Sequence, residues 1–252
     1  MKKMRLDKML AAMGLGTRSE IKKAVKQGKV TVGGNTVKDS GLSVDPENDI
    51  VEWEGERVLY KDVVYFMLNK PQGVISATED TRERTVIDLL APQDRVLRPF
   101  PVGRLDKDTE GLLLLTNDGQ LAHELLSPRK HVDKTYEAKV IGAVDEEDKR
   151  KFAFGVTLDD GYVTMPAVLH IDDVHSDEGG QAMSSIRLTI KEGKFHQVKR
   201  MFEAVGKRVV YLRRIAMGPL TLDPKLALGS YRELTGEEVE RLRERKTKPP
   251  AQ

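Results

Sequence analysis

One aspartate, Asp106, has the neighbours that a reactive carboxylate requires. It lies in a charged loop, with Arg104 two residues before it and Lys107 directly after it. Nearby positive charge favours the ionised form of a carboxyl group, and an ionised carboxylate can act as a nucleophile or as a base. In isolation the same pattern is more often a structural turn, so the surrounding elements must support the chemical interpretation.

The loop leads into an unbroken apolar run at residues 112–115, which ends at an Asn-Asp-Gly turn at 117–119. A short apolar run bounded by turn residues predicts a strand buried on both faces. Loops at the rim of such a rigid sheet commonly carry functional side chains. The pattern therefore predicts that Asp106 lies at the edge of a buried sheet.

Residues 103–112 (Gly-Arg-Leu-Asp-Lys-Asp-Thr-Glu-Gly-Leu) resemble the signature of the Rsu/Rlu family of pseudouridine synthases. The resemblance implies that Asp106 is the catalytic carboxylate, that Tyr136 lies in the active site against the uracil, and that Lys199 pairs with Asp106. It covers about residues 4–240. Further segments that carry it are 69–73 (Asn-Lys-Pro-Gln-Gly), 134–136 (Lys-Thr-Tyr), 193–201 (Gly-Lys-Phe-His-Gln-Val-Lys-Arg-Met), 218–220 and 229–235.

Two more residues are predicted to contact the substrate. From its position before Asp106, Arg104 is hypothesised to fill the space that the uridine vacates or to hold a phosphate. Leu212 is predicted to form an apolar wall against the base. His196 either contacts phosphate or is a structural, hydrogen-bonded histidine.

Pseudouridine formation breaks the C1′–N1 bond of uridine, turns the uracil and joins C1′ to C5. The carboxylate acts as a nucleophile at the sugar or as the base that removes a ribose proton, and the sequence leaves both routes open. The uridine must leave its stack before C1′ can be reached. The chain has no Gly-Lys-Ser/Thr phosphate-binding loop and no convincing set of metal ligands, so we expect neither a cofactor nor a metal.

The first 52 residues have the pattern of a separate small module. Apolar residues at positions 6, 9, 10 and 13 predict a short helix. Thr17 and Glu20 have the spacing of a capping box that begins a second helix, and residues 30–37 predict a hairpin. The module resembles an S4 RNA-binding domain, which implies contacts with structured RNA. The residues predicted to bind phosphates are Arg5, Arg18, Ser19, Lys22, Lys26 and Lys29.

Charge is strongly segregated along a chain whose formal net charge is only +2. Residues 1–30 carry nine Lys or Arg against two acids, and residues 194–214 carry seven against one. Such basic segments are typical of nucleic-acid binding, because phosphate contacts supply most of the affinity. Residues 145–180, with ten acids and three basic residues, are expected to form a solvated face.

Composition narrows the class of protein further. The 252 residues contain no cysteine, and no signal peptide or membrane-spanning stretch is recognisable. We therefore expect a cytoplasmic protein that has no membrane partner. A monomer is expected, because no long apolar face is left over.

The predicted fold is α+β, with a small helix-helix-strand module and a larger domain built on a mostly antiparallel sheet. The predicted division is residues 1–58 for the S4-like domain, 59–240 for the catalytic domain and 241–252 for a charged tail. Within these, 53–62 is expected to be the linker and 69–73 a turn. Residues 208–215 are predicted to be a strand with exposed basic side chains, the loop around 170–175 to be polar, 236–247 to be helical and 248–252 to be disordered.

The predicted function is isomerisation of a specific uridine in ribosomal RNA or in a ribosomal-subunit assembly intermediate. Residues 193–201 and 134–136 favour 16S RNA of the small subunit. The alternatives are a 23S large-subunit enzyme and a non-catalytic RNA-binding assembly factor. An enzyme acting on a small nucleoside is a further alternative, and the basic segments disfavour it.

Overall fold

The computed structural model describes residues 3–244, which divide into two compact units. Residues 3–64 and 90–99 form the first unit, and residues 65–89 and 100–244 form the second. No sequence pattern indicated that residues 90–99 group with the N-terminal residues. None of the helices in this described range is both long enough and apolar enough to cross a membrane.

The first unit begins with two short helices that pack through apolar faces. Helix α1 spans Leu6–Ala12 and helix α2 spans Arg18–Lys26. The predicted capping box is confirmed at the start of α2, where the Thr17 hydroxyl accepts a hydrogen bond from the Glu20 amide at 3.3 Å. In return, the Glu20 carboxylate accepts one from the Thr17 amide at 2.7 Å. These two bonds satisfy amides that a helix terminus otherwise leaves without partners.

Short strands complete this unit. Strand β1 (Met4–Arg5) pairs with β4 (Ser43–Val44). The other four pair in the order β3 (Asn35–Thr36), β2 (Val30–Val32), β5 (Val51–Trp53) and β6 (Glu56–Arg57). The predicted linker at 53–62 is wrong in part, because Trp53 ends one strand and a second follows within three residues. Glu54 and Gly55 take positive φ angles of 51° and 86° and form the turn between them. Residues Pro92–Arg95 form helix α3.

The second unit is built on one large sheet. Its strands are β7 (Tyr65–Lys70), β8 (Phe100–Pro101), β9 (Glu110–Thr116), β10 (Lys134–Ile141), β11 (Val168–Ser176), β12 (Ala182–Ile190), β13 (Arg208–Met217), β14 (Leu220–Thr221) and β15 (Tyr231–Glu233). Its helices are α4 (Gly119–Leu126), α5 (Glu146–Phe154), α6 (Gln197–Glu203) and α7 (Gly236–Glu244), with 3₁₀ turns at Val86–Leu89 and Pro128–Lys130.

The main path of the sheet runs β11-β12-β10-β13-β9-β7-β15, with β14 on β13 and β8 on β9. Among the described strands, only β13 and β9 pair in parallel, and the other pairs are antiparallel. The predicted α+β fold with a mostly antiparallel sheet is therefore confirmed.

The strand predicted from the apolar run at 112–115 is confirmed as the interior of β9. Its four leucines are at most 1% exposed, because β7 and β13 pair with it on either side and side chains cover both faces. Gly111 at its start has a φ of 103°, and a Cβ there would lie 2.2 Å from the Arg214 carbonyl oxygen. Glycine is required where the two parallel strands come this close.

Other expectations need correction. Strand β7 continues through Asn69 and Lys70, which were expected in a turn, because both residues pair with β9. His170 and His175 lie in β11 and not in a loop, since that strand pairs along its length with β12. Arg214 on β13 is only 2% exposed, although its strand was expected to expose its basic residues.

The C-terminal helix predicted for 236–247 is present as α7, which is described as far as Glu244. Leu242 on this helix is 2% exposed and joins the apolar core around β7 and β9. Residues 245–252, which include the segment expected to be disordered, lie outside the described residues.

Candidate active site

The loop that carries Asp106 is fixed by hydrogen bonds to its backbone. The Ser76 hydroxyl donates to the Leu105 carbonyl at 2.9 Å and accepts from the Leu105 amide at 3.0 Å. The Thr109 amide donates to the Asp106 carbonyl at 3.1 Å. Asp106 is therefore held on a rigid segment, as a reactive group requires.

Lys70 is the strongest of these anchors. Its side chain is fully buried, and its ammonium group donates to the carbonyls of Pro71, Asp106 and Thr109 at 3.0, 2.9 and 2.9 Å. Burial lowers the pKa of Lys70 to about 8, although the nearby carboxylates of Asp106, Asp108 and Glu110 act in the opposite direction. The lysine is thus mostly charged at neutral pH. Sequence reasoning missed this role, and the available signal was a lysine two residues after the apolar run at 63–68.

Lys199 on α6 is the cation that contacts the Asp106 carboxylate. Its ammonium group lies 3.2 Å from Asp106 Oδ2 and also 2.7 and 2.8 Å from the two oxygens of Asp108. Burial alone would lower the pKa of Lys199, but the hydrogen bonds with these two aspartates raise it overall. Asp108 was not predicted as part of the site, although it belongs to the family signature at 103–112.

The expected pairing of Lys107 with Asp106 is wrong. The Lys107 ammonium group instead pairs with Glu83 at 2.7 Å. Lys107 lies in the turn that the hydrogen bond from the Thr109 amide to the Asp106 carbonyl closes, and in such a turn sequence neighbours of a carboxylate are poor guides to its partners. Arg104 is exposed.

A cavity of about 330 Å³ opens beside this loop. Four of the five catalytic-domain residues predicted for the site line this cavity, namely Arg104, Asp106, Tyr136 and Leu212. His196 lines it as well. The fifth, Lys199, contacts Asp106 directly.

The aromatic and apolar walls come from the central strands of the sheet. Tyr136 on β10 is 7% exposed, and Leu212 lies on the neighbouring strand, β13. The cavity thus combines a carboxylate, a phenol and an apolar wall in a volume typical of small-ligand pockets. The catalytic roles of these residues stay predictions.

The opposite wall is organised around Glu192, which sequence reasoning also missed. Its carboxylate accepts hydrogen bonds from the Tyr162 hydroxyl at 2.6 Å, the Met165 amide at 2.9 Å and the Gln197 side-chain amide at 2.6 Å. Glu192 therefore ties the loop before β11 to the loop that begins α6. The hydrogen bond to Glu192 is the largest of the effects that raise the pKa of Tyr162.

In the first unit, the predicted phosphate-binding residues fall into two groups. Arg18, Lys22 and Lys26 lie four residues apart on the exposed face of α2, and Ser19 is also exposed there. Arg5 pairs with Asp7 at 2.8 Å and Lys29 pairs with Glu54 at 2.5 Å, so their charges are already partly neutralised. The face formed by residues 18, 19, 22 and 26 is the stronger candidate for binding a polyanion.

Comparison with known proteins finds a separate family model for each of the two parts of the chain. Residues 64–204 match the family model described as RNA pseudouridylate synthase, and residues 4–51 match the S4 domain model. A solved structure titled as a pseudouridylate synthase superposes with a TM-score of 0.65 at 38% identity, covering 95% of this chain and 99% of that chain.

Relatives of similar length align over nearly the whole chain. The "Uncharacterized RNA pseudouridine synthase YtzG" of Bacillus subtilis is 53% identical, covering 96% of this chain and 99% of the relative. Ribosomal large subunit pseudouridine synthase B of the same organism is 44% identical, covering 95% of each. Ribosomal small subunit pseudouridine synthase A of Yersinia pestis is 40% identical, covering 94% and 97%.

The chain therefore belongs to the RNA pseudouridylate synthase family, with an S4 domain at its N-terminus. It is a pseudouridine synthase, an isomerase that acts on RNA. The alternative of a non-catalytic RNA-binding factor is not supported.

Proposed function

We propose that this enzyme isomerises a specific uridine of ribosomal RNA and that this uridine lies in the 16S RNA of the small subunit. Asp106 is the catalytic carboxylate. The observation that carries the proposal is the contact between Lys199 and Asp106 in a cavity that also contains Tyr136. Residues 193–201 and 134–136 support the small-subunit assignment, because they resemble the Rsu branch.

In the proposed mechanism the target uridine leaves its stack and its uracil enters the cavity. Asp106 acts at the ribose while the C1′–N1 bond breaks, the uracil turns and C5 bonds to C1′. C5 then loses its proton and N1 gains one, so the product is an isomer of the substrate. Tyr136 stacks on the uracil and its hydroxyl meets the proton that leaves, with Leu212 as the apolar wall.

The cations have separate roles in this proposal. Lys199 pairs with the Asp106 carboxylate and orients it. Arg104 is exposed at the edge of the same cavity, where it either fills the space left by the flipped uridine or holds a phosphate. Measuring RNA affinity and isomerisation separately for Arg104→Ala tests this, and unchanged values of both would reject it.

We further propose that residues 1–58 bind structured RNA, that residues 59–240 perform catalysis and that 241–252 are a charged tail. The described part of this tail, 241–244, is the end of α7, where Leu242 packs in the core. The family matches at 4–51 and 64–204 support the first boundary. The phosphate contacts come from Arg5, Arg18, Ser19, Lys22, Lys26 and Lys29. Action as a monomer in the cytoplasm belongs to the same proposal. Light scattering of the purified protein tests the monomer.

A large-subunit target is the second candidate, because a relative named for that subunit is 44% identical and one named for the small subunit is 40% identical. This difference is too small to outweigh the branch-specific motifs. Pseudouridines in ribosomal RNA from a gene-deletion strain, mapped by chemical labelling and primer extension, distinguish the two candidates. Loss of a 16S site supports the proposal, and loss of a 23S site overturns the small-subunit assignment.

The catalytic assignment is tested by Asp106→Asn. We expect isomerisation to fall at least about 10³-fold, since the charged group that acts on the ribose is gone, while RNA binding changes little. Asp108→Asn is the matched control, because Asp108 binds the same lysine but is expected to cost less than tenfold. Full turnover by Asp106→Asn would overturn the proposal.

A further inference from the structure

The loop that leads into α6 exposes an aromatic ring beside the Asp106 carboxylate. Phe195 is 68% exposed, and its ring stacks on the His196 imidazole with centroids 3.7 Å apart and planes at 21°. His196 Nε2 in turn lies 3.6 Å from Asp106 Oδ1. A single exposed apolar residue is common on protein surfaces. That general tendency does not explain why this exposed ring stacks on a histidine that lies beside the Asp106 carboxylate.

The backbone at this position is constrained. His196 has φ 47° and ψ 33°, in the left-handed region that side-chain-bearing residues rarely occupy. Strained backbone of this kind persists only where the surrounding structure imposes it, and it clusters at functional sites. The conformation turns the chain sharply just before α6.

Hydrogen bonds hold the loop in this shape. The Gln197 side chain accepts from the Lys194 amide at 2.8 Å and donates to Glu192 at 2.6 Å. Arg200 on α6 donates to the Phe195 carbonyl at 3.4 Å, and its guanidinium also binds Asp159 and Asp160. The exposed ring therefore sits on a preorganised support, which lowers the entropy lost when a partner binds.

The position of the ring relative to the cavity identifies the partner. His196 lines the cavity, whereas Phe195 lies outside its lining. A group stacked on Phe195 would therefore lie next to, but not within, the place proposed for the flipped uracil. Extruding a uridine exposes the flat faces of its neighbouring bases, and aromatic side chains bind such faces without regard to base identity.

We propose that Phe195, supported by His196, is a stacking platform for a nucleobase that flanks the target uridine in the same RNA strand. This inference rests on the proposed function, since it places the uridine at Asp106. The platform holds the strand on the outer side of the cavity while the uridine is inside. Phe195 is thus a substrate-binding residue and takes no part in bond making.

The test uses the full-length enzyme and an RNA fragment that contains the mapped uridine. Phe195→Leu and Phe195→Trp are compared with wild type in KM and kcat. Phe154→Leu is the matched control, because Phe154 is another phenylalanine of the same unit and is 84% exposed on α5. A second set of RNAs replaces each nucleotide within three positions of the uridine, one at a time, by an abasic ribonucleotide.

We expect Phe195→Leu to raise KM about tenfold, within the range for loss of one base–aromatic stack, with kcat changed less than twofold. Phe195→Trp and Phe154→Leu are expected to match wild type. At one position, an abasic nucleotide should raise the KM of the wild-type enzyme by the same factor. It should not raise the KM of Phe195→Leu any further.

Three results would overturn the platform. They are an unchanged KM in Phe195→Leu, a loss in kcat alone, and equal abasic losses for wild type and Phe195→Leu at every position. If the wild-type enzyme itself forms no pseudouridine in ribosomal RNA, the proposed function fails and the platform falls with it. An active wild type with an unaffected Phe195→Leu overturns the platform alone.

Discussion

Lys70 holds Asp106 by its main chain and not by its carboxylate, through a hydrogen bond of 2.9 Å from the lysine ammonium to the Asp106 carbonyl. A second bond of the same length reaches Thr109, so one buried charge fixes both ends of the loop. The carboxylate of Asp106 is left to Lys199, which approaches from α6. Lys70 thus positions the backbone of Asp106, whereas Lys199 supplies the positive charge beside its carboxylate.

The lowered pKa of Lys70 leads to a pH-dependent contribution to stability. Between about pH 8 and pH 10.5 the unfolded chain binds this proton and the folded chain does not, so the lysine's contribution to stability rises with pH over that window. The rise amounts to about 3 kcal/mol in total, because each unit of pKa shift corresponds to about 1.4 kcal/mol.

Urea unfolding of wild type and Lys70→Met from pH 7 to pH 10.5 measures this effect. We expect Lys70→Met to be less stable than wild type throughout, since three carbonyls lose their donor. The deficit should grow as the pH rises above 8. A constant difference across the range would show that Lys70 keeps the same protonation in both states.

The elements around the site were predictable where local chemistry determines them. The strand that contains the four leucines of β9 follows from an unbroken apolar run bounded by turn residues, and the Thr17–Glu20 capping box follows from the needs of helix amides. Both are confirmed. The pairing of Lys70 with the Asp106 loop was not predictable, because the two are far apart in sequence and meet only through the register of β7 and β9. The wrong expectation for Lys107 has the same origin, since its partner Glu83 lies in a separate loop.

Lys199 is predicted to supply charge at Asp106. Lys199→Met should lower kcat about 100-fold, because removing one preorganised electrostatic partner of a reacting group costs about 10²–10³ in rate. Lys199→Arg keeps the charge and should lose less than tenfold, although its planar head suits a single-point contact less well. Steady-state kinetics on the RNA substrate measure both variants. An unchanged kcat in Lys199→Met would mean that Asp106 acts without this lysine.

The close approach of β9 and β13 predicts a sensitive glycine. Gly111→Ala would place a Cβ 2.2 Å from the Arg214 carbonyl oxygen at a φ of 103°, so the two strands must separate. We expect a loss of at least about 3 kcal/mol from backbone strain and steric overlap together. Gly119→Ala is the matched control, because Gly119 begins helix α4 and a Cβ there meets nothing within 4 Å. Thermal unfolding measures both, and equal melting temperatures for the two variants would contradict the prediction.

The exposed face of α2 predicts a salt-dependent contribution to RNA binding. Lys22 and Lys26 are exposed and form no ion pair with any residue that the structure describes, so each is available to a phosphate. Each Lys→Ala change should weaken binding similarly for all RNA sequences and reduce the slope of log affinity against log salt by about 1. Filter binding at several salt concentrations measures the slope. Lys151→Ala is the control, because Lys151 is paired with Glu147 on the acidic helix α5. An equal change of slope in that variant would assign the effect to net charge and not to a contact made by α2.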